Sequence, residues 1–286
     1  MDVRRATAAD TDAIVALCHL IDPDDYVPRH LDRMMESGTF LLLYDGDRLV
    51  GIDRISRLHD GAAWLAAARI HPDYRGRGLI GFLNEHALQL PEYRDAPFAR
   101  LLVSTDNTAS MRAAEKNGFR VAAEVSLLEW EPKSPAERRA RARSGFAPAR
   151  AKDVRLSIRL SPIFAAQRGL LYITPDWGHA TDEYLALAER EGWLYANPMA
   201  GPLFARERPG REGLGMVAQP FAATTAGAAR VLEFMRERKA DWAMLALPDT
   251  GSATEPYIRA GFAYSDWGRH ARVFERALTP SPSEGR

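Results

Sequence analysis

Between Ala68 and Leu83 the chain reads Ala-Arg-Ile-His-Pro-Asp-Tyr-Arg-Gly-Arg-Gly-Leu-Ile-Gly-Phe-Leu. An apolar run gives way to a loop with two arginines and three closely spaced glycines, and then to a helical pattern. The first backbone N–H groups of a helix have no partner within it. With the helix dipole they form a site for an anionic phosphate. Gly76, Gly78 and Gly81 let the backbone approach such a group closely, and Arg75 and Arg77 add charge-assisted hydrogen bonds. The spacing matches neither the P-loop nor the Rossmann fingerprint. The chemistry is therefore that of a phosphate-bearing cofactor held outside those two frameworks.

The stretch resembles motif A of the GCN5-related N-acetyltransferase (GNAT) superfamily. That motif sets Arg or Gln, two residues, Gly, one residue and then Gly or Ala just after the fourth strand. Arg75, Gly78 and Ile80 stand in those places. Ile80 departs from the small-residue rule, and Gly81 follows at once. Asn107-Thr108-Ala109-Ser110 through Gly118-Phe119 resembles motif B. The resemblance implies an acetyl-CoA site. Amides from Arg77 through Gly78, Leu79, Ile80, Gly81 and Phe82 would bind the coenzyme A diphosphate, beside Arg75 and Gly76. The strand around Ile70 would pair with the pantetheine arm, and Asn107 would help hold the cofactor. His71 precedes Pro72 where such loops commonly carry His-Pro, a structural position before a catalytic one.

Acetyl transfer to nitrogen needs a neutral amine. At pH 7 a lysine-type amine with pKa near 10.4 is neutral about once in 2,500 molecules, roughly 4.6 kcal/mol uphill; a peptide-like α-amine near 7.7–8 costs only about 1 kcal/mol. Many GNAT enzymes place a glutamate on the fourth strand and a tyrosine four residues before the motif B glycine. Here those places hold Ala66-Ala67-Ala68 and Ala114. Asp53, inside the apolar run of the third strand, is the first candidate base; pairing with Arg54, Arg57 or Arg69 is the equally weighted alternative. Glu85 and Tyr26 follow as catalytic candidates, with Asp25 and Glu124 behind them. No His/Cys cluster has metal-ligand spacing, so no metal is expected.

The elements that must position these groups follow from periodicity and turn signals. Residues 2–6 read as a strand and the run to residue 20 as a helix capped by Thr7 or Asp10. Pro23 to Pro28 is a loop and Arg29 to Ser37 a helix. Strands are expected at 39–44, 48–58 and 63–71, helix Leu79 to Leu90 after the glycine loop, then a strand at 100–104, helix 110–117 and strand 119–130. Residues 132–152, rich in Pro, Arg and Ala, read as a linker. Beyond it come a strand at 154–160, helix 180–191, strands at 193–205 and 213–219, helix 223–238, strand 242–247, helix 255–260 and strand 271–278. Tyr257 to Phe262 echoes Ala114 to Phe119, which supports a duplicated domain. The second half lacks a basic glycine loop; between Gln219 and Ala226 it reads Pro-Phe-Ala-Ala-Thr-Thr.

The fold class is thus α/β (α+β): two tandem GNAT-like domains, each a mixed twisted sheet flanked by helices. Residues 1–132 form the catalytic domain binding acetyl-CoA, 133–152 the linker, 153–279 a degenerate GNAT-like domain and 280–286 a disordered tail. Asp25-Tyr26-Val27-Pro28, the Arg-Gly-Arg-Gly-Leu-Ile-Gly loop and Asp176-Trp177 also resemble a GNAT group that includes histidine N-acetyltransferases, which suggests a free amino acid acceptor.

The 286 residues suit two domains, and 46% hydrophobic with 27% charged residues is ordinary for a globular chain. Lys+Arg and Asp+Glu both count 38, so no global basic field points to nucleic acid or an anionic membrane. The single cysteine, Cys18, lies in an apolar run and reads as core packing. No signal-peptide core or membrane-length apolar stretch is seen, so a cytoplasmic location is expected. The expected function is acetyl-CoA-dependent N-acetyl transfer to a small-molecule amine. A non-catalytic acetyl-CoA sensor, a protein N-acetyltransferase and a scaffold are the alternatives. Trp177, Trp193, Tyr195, Trp242 and Trp267 could line a pocket, core packing being the commoner role. A homodimer stays open.

Overall fold

The computed structural model describes residues 1–134, 137, 143–172, 176–210, 213–266 and 269–278. The expected tail, Trp267 and seven positions of the expected linker lie outside the described residues. The chain divides into two compact units. The first holds Met1–Leu101, Thr108–Arg120 and Phe274–Arg286; the second holds Leu102–Asn107 and Val121–Val273.

The first unit opens with β1 (Asp2–Arg5), α1 (Thr11–Ile21) and α2 (Tyr26–Glu36). Strands β2 (Thr39–Asp45), β3 (Arg48–Arg57) and β4 (Ala63–Ile70) follow, then α3 (Leu79–Leu88), β5 (Phe98–Ser104) and α4 (Thr108–Lys116). β1, β2, β3 and β4 pair antiparallel in that order, and β4 pairs parallel with β5 at Ala63↔Ala99 and Trp64↔Arg100. One face of this mixed sheet is covered by α1 and α2. Ile14, Leu17, Val27 and Leu31 pack there against Leu42 and Ile52, and Cys18 is fully buried among them. Each such aliphatic contributes about 1.5–3 kcal/mol by leaving water. Gly51, on the opposite face, looks at Leu83 of α3.

The second helix starts three residues earlier than its periodicity suggests. Asp25 accepts the Val27 amide at 2.9 Å and caps it, and Pro28 falls in the first turn, where a missing N–H costs no helical bond.

In the second unit β6 (Arg120–Trp130) precedes β7 (Ala147–Pro148), α5 (Ala151–Arg159), α6 (Pro162–Ala166), β8 (Leu170–Tyr172) and β9 (Trp177–His179). Then come α7 (Asp182–Arg190), β10 (Leu194–Asn197), β11 (Gly201–Gly210), β12 (Gly213–Pro220) and α8 (Thr225–Glu237). β13 (Trp242–Pro248), α9 (Gly251–Ala260), β14 (Ala263–Tyr264) and β15 (Ala271–Ala277) end the described chain. β12 and β13 run parallel, and β6 pairs antiparallel with β13 from Trp130↔Ala243 to Val125↔Pro248. Each unit is therefore a mixed sheet with helices, as expected for a GNAT-like repeat. β6, from the N-terminal half, counts with the second unit, and Phe274 to Ala277 of β15 count with the first.

Residues 154–160 are a correction. Their apolar alternation reads as a strand, but they form helix α5. Val154 and Ile158, one helical turn apart, are buried, while Leu156 and Leu160 are left exposed. An i, i+4 pair satisfies a helix as readily as alternation satisfies a strand. The segment 193–205 is also two strands, β10 and β11, rather than one.

Candidate active site

At the end of β4 a short 3-10 turn, Pro72–Tyr74, leads into the glycine loop. His71 organises that turn: its Nδ1 accepts the Asp73 amide at 3.2 Å, and its Nε2 lies 2.7 Å from an Arg48 nitrogen. Gly76 and Gly78 sit at φ of +76° and +74°, where a side chain would add strain, and both face open space. Gly78 is the N-cap of α3 and supplies no side-chain cap, so the first amides of α3 project outward. Arg77 packs over the Tyr74 ring at 4.7 Å and donates to the Asp73 carbonyl. Among the described residues, neither Arg75 nor Arg77 forms an ion pair with a carboxylate. Gly81 answers the departure at Ile80: a Cβ at 81 would strike the Asn117 side chain, where α3 lies against the end of α4. These residues fit a diphosphate: open backbone, unspent amides and two available guanidinium groups.

A bulge interrupts β4. Ile52 pairs with Arg69 and Arg54 with Ala66, so Ala67 and Ala68 together oppose Asp53. Ala67 takes a left-handed φ of +57°, a conformation costing a non-glycine residue roughly 1 kcal/mol. From Leu65 to Ile70 the ladder partner of β4 is β3, so among the described residues its other edge keeps backbone groups for an added extended partner.

The three catalytic candidates are not brought together. Asp53 is 1% exposed and shares the α3 face of β3 with Gly51. Its Oδ1 accepts the Arg54 amide at 3.0 Å, and its Oδ2 has no partner among the described residues. Burial pushes its carboxyl up to about 8. None of the three arginines weighed as its partner forms an ion pair with it. Glu85 is half-exposed on α3 and pairs with Arg276 at 2.5 Å. Tyr26 begins α2 on the other face of the sheet, beneath Arg69. Asp25 holds that arginine, and Glu124 pairs with Arg272 in the second unit. Asn107 groups with the second unit, its amide donating to the Ser104 carbonyl at 3.0 Å.

Sequence reasoning missed the joint arrangement of Asp25, Tyr26 and Arg69. Arg69 Nε and Nη2 grip the two Asp25 oxygens at 2.6 and 2.9 Å across 44 residues of chain. The Asp-Tyr dipeptide ahead of α2 was the available signal. Cys18 lies beside this cluster, and burial pushes its thiol up to about 12.

Elements of the second unit that echo the first are closed. Thr224 caps α8 by accepting the Gly227 amide at 3.0 Å, which occupies the position that Gly78 leaves open. Tyr257 is fully buried and donates to the Ala222 carbonyl at 2.6 Å, and burial raises its pKa.

Residues 11–119 match the acetyltransferase (GNAT) family. Solved structures share the fold over nearly the whole chain. A candidate acetyltransferase from Thermoplasma acidophilum is 17% identical at a TM-score of 0.61, covering 97% of this chain and 100% of its own. A GCN5-related N-acetyltransferase from Sphaerobacter thermophilus is 14% identical at 0.61, covering 98% and 96%. A tandem GNAT protein from the clavulanic acid biosynthesis pathway is 14% identical at 0.56, covering 98% and 99%. No curated protein matches the sequence. The narrower likeness to histidine N-acetyltransferases gains no support from these comparisons.

Proposed function

We propose that this chain, whose residues 11–119 match the acetyltransferase (GNAT) family and whose fold resembles a tandem GNAT protein over nearly its whole length, moves the acetyl group of acetyl-CoA to a small-molecule amine of low basicity. The observation that carries the cofactor assignment is the uncapped N-terminus of α3 at Gly78, open to solvent and flanked by Arg75 and Arg77. There the amides of Leu79 to Gly81 and the two guanidinium groups bind the diphosphate. The free edge of β4 from Leu65 to Ile70 takes the extended arm, as an added strand would. Bound acetyl-CoA supplies the activated acetyl group.

The rest concerns a proton. Ala66 to Ala68 and Ala114 stand where a base and an acid are usual in the family. A peptide-like α-amine is neutral often enough at pH 7 to need little help, about 1 kcal/mol. A lysine-type amine, at roughly 4.6 kcal/mol, would need a base. The absence of ionisable side chains at those places therefore favours acceptors of the first kind. Asp53, at about 8, matches such an amine in proton affinity. It faces α3, so it exchanges protons with the acceptor only through water crossing the bulge at Ala67.

The test is release of coenzyme A thiol from acetyl-CoA with single amines: amino acids, polyamines, aminoglycosides and short peptides. Release with α-amines, together with a rise in melting temperature on adding acetyl-CoA, is the expected result. No thermal shift with acetyl-CoA would overturn the cofactor assignment. A preference for polyamines would overturn the low-basicity argument.

A further inference from the structure

Arg69 is gripped on one edge and open on the other. Its Nε and Nη2 donate to Asp25 at 2.6 and 2.9 Å, and its Nη1 donates to the Ala68 carbonyl at 3.0 Å. Asp25 is locked in turn by the Val27 amide, and its side chain is 1% exposed. The Arg69 side chain keeps 21% exposure. A guanidinium has five N–H groups; three are spent on Asp25 and Ala68 and a fourth donates to the Tyr26 hydroxyl oxygen, so one remains. The Tyr26 ring lies 5.4 Å from the same guanidinium, with a hydroxyl whose pKa is raised by burial and which therefore stays a donor. Arg54, on the same face of β3, lends a second positive field at Tyr26.

The arrangement is asymmetric. A purely structural ion pair gains most when both partners are desolvated and satisfied together. Here the acid is wholly enclosed, and the base presents an unused donor beside the β4 bulge. A buried carboxylate that fixes a guanidinium in place leaves its outer edge pre-organised for a second planar anion. The remaining donors are one N–H of Arg69 and the Tyr26 O–H, whose oxygen is already engaged by Arg69, so a carboxylate fits them and an ammonium does not. Positive charge on this face also disfavours a protonated amine, the form that cannot react.

We propose that Arg69 and Tyr26 form the subsite for an acceptor carboxylate, so that the acceptor is a small molecule bearing a carboxylate beside its amine. Arg69 is a positioning residue in this scheme, and Asp25 sets its orientation. The inference rests on the acetyl-transfer function above and adds the acceptor class.

The experiment compares matched acceptors: an amino acid, its amide and its decarboxylated amine. Thiol release gives kcat/KM for each, and calorimetry with coenzyme A present gives binding of each. Wild-type protein is expected to favour the acid by at least about tenfold. Arg69→Lys keeps the charge and loses the fork; it should remove that preference, mostly through KM, by lowering use of the acid at least about tenfold more than use of the decarboxylated amine. Tyr26→Phe spares the ion pair and should lower the preference by a smaller factor. Equal use of acid, amide and amine by the wild type would overturn the subsite. So would variants that depress all three alike, which is what a structural role gives. If acetyl-CoA shifts the melting temperature but no amine releases thiol, the acetyl-transfer reading fails and this inference fails with it.

Discussion

Replacing Asp53 by asparagine tests the most unusual group in the first unit. Its carboxyl is buried, with one oxygen on the Arg54 amide and the other without a partner among the described residues. Folding raises its pKa from an ordinary 3.8 to about 8. Between those values the folded chain holds a proton that the unfolded chain has released. Stability therefore falls as pH rises through this window, by up to about 1.4 kcal/mol per pH unit, and levels off above the folded pKa. Across roughly four units the full effect is on the order of 5 kcal/mol. Asp53→Asn removes the titration while keeping an oxygen for the Arg54 amide. Its extra N–H groups cost a pH-independent amount, about 1–3 kcal/mol if they find no partner. Denaturant unfolding of both proteins from pH 5 to 7.5 isolates the term, since other titrations cancel in the difference. The wild type should lose about 2–3 kcal/mol relative to the variant over that range. A difference that stays flat would mean Asp53 is ionised when folded, and the burial argument would be wrong. The same pair decides the proton route. If protons pass from the acceptor to Asp53, kcat falls in Asp53→Asn, while the rise of kcat/KM with pH set by the acceptor amine's own titration persists in both proteins.

Gly78→Glu should abolish the melting-temperature rise with acetyl-CoA, because it puts bulk and negative charge into the proposed diphosphate site. Gly78→Asn, which tolerates the left-handed backbone, should retain most of the rise and so separates charge from strain. Cys18, with its thiol pushed up to about 12 and no exposure, should resist maleimide until the first unit unfolds, so labelling rate reports opening of the α1/α2 face. Truncation before Phe274 removes Glu275, which holds the fully buried Arg100 at 2.6 Å together with Asp60. It should destabilise the first unit by several kcal/mol, about 3–5 by analogy with broken buried pairs, seen as early melting and loss of the acetyl-CoA shift.

The open glycine loop ahead of α3 was legible because its signals are local. Glycines, arginines and a helix start lie within about two turns of chain, and backbone physics fixes their use. The order of strands and helices was legible from periodicity, except where apolar spacing served two periods at once, as in residues 154–160. What the sequence concealed were side-chain partnerships over long separations. Asp25 finds Arg69 across 44 residues and Arg100 finds Glu275 across 175, and no local pattern selects one arginine among many. The bulge at Ala67 was equally hidden, since three alanines in a row carry no register information. Asp53 stood out as a lone acid in an apolar strand, but which face it took depended on strand pairing, and that face turns it away from Arg69 and Tyr26.

The return of Phe274 to Ala277 into the first unit has a consequence for synthesis. Those residues leave the ribosome 154 positions after Arg120, the last earlier residue of that unit. At about 5–20 residues per second the delay is roughly ten seconds to half a minute. Through that interval Arg100 has Asp60 but lacks Glu275, the second of its two acidic partners, while the second unit is made. A message broken or a chain clipped anywhere before residue 274 therefore leaves the cofactor loop on an unfinished body. Residues 274–277 thus complete the first unit only after the second has been made.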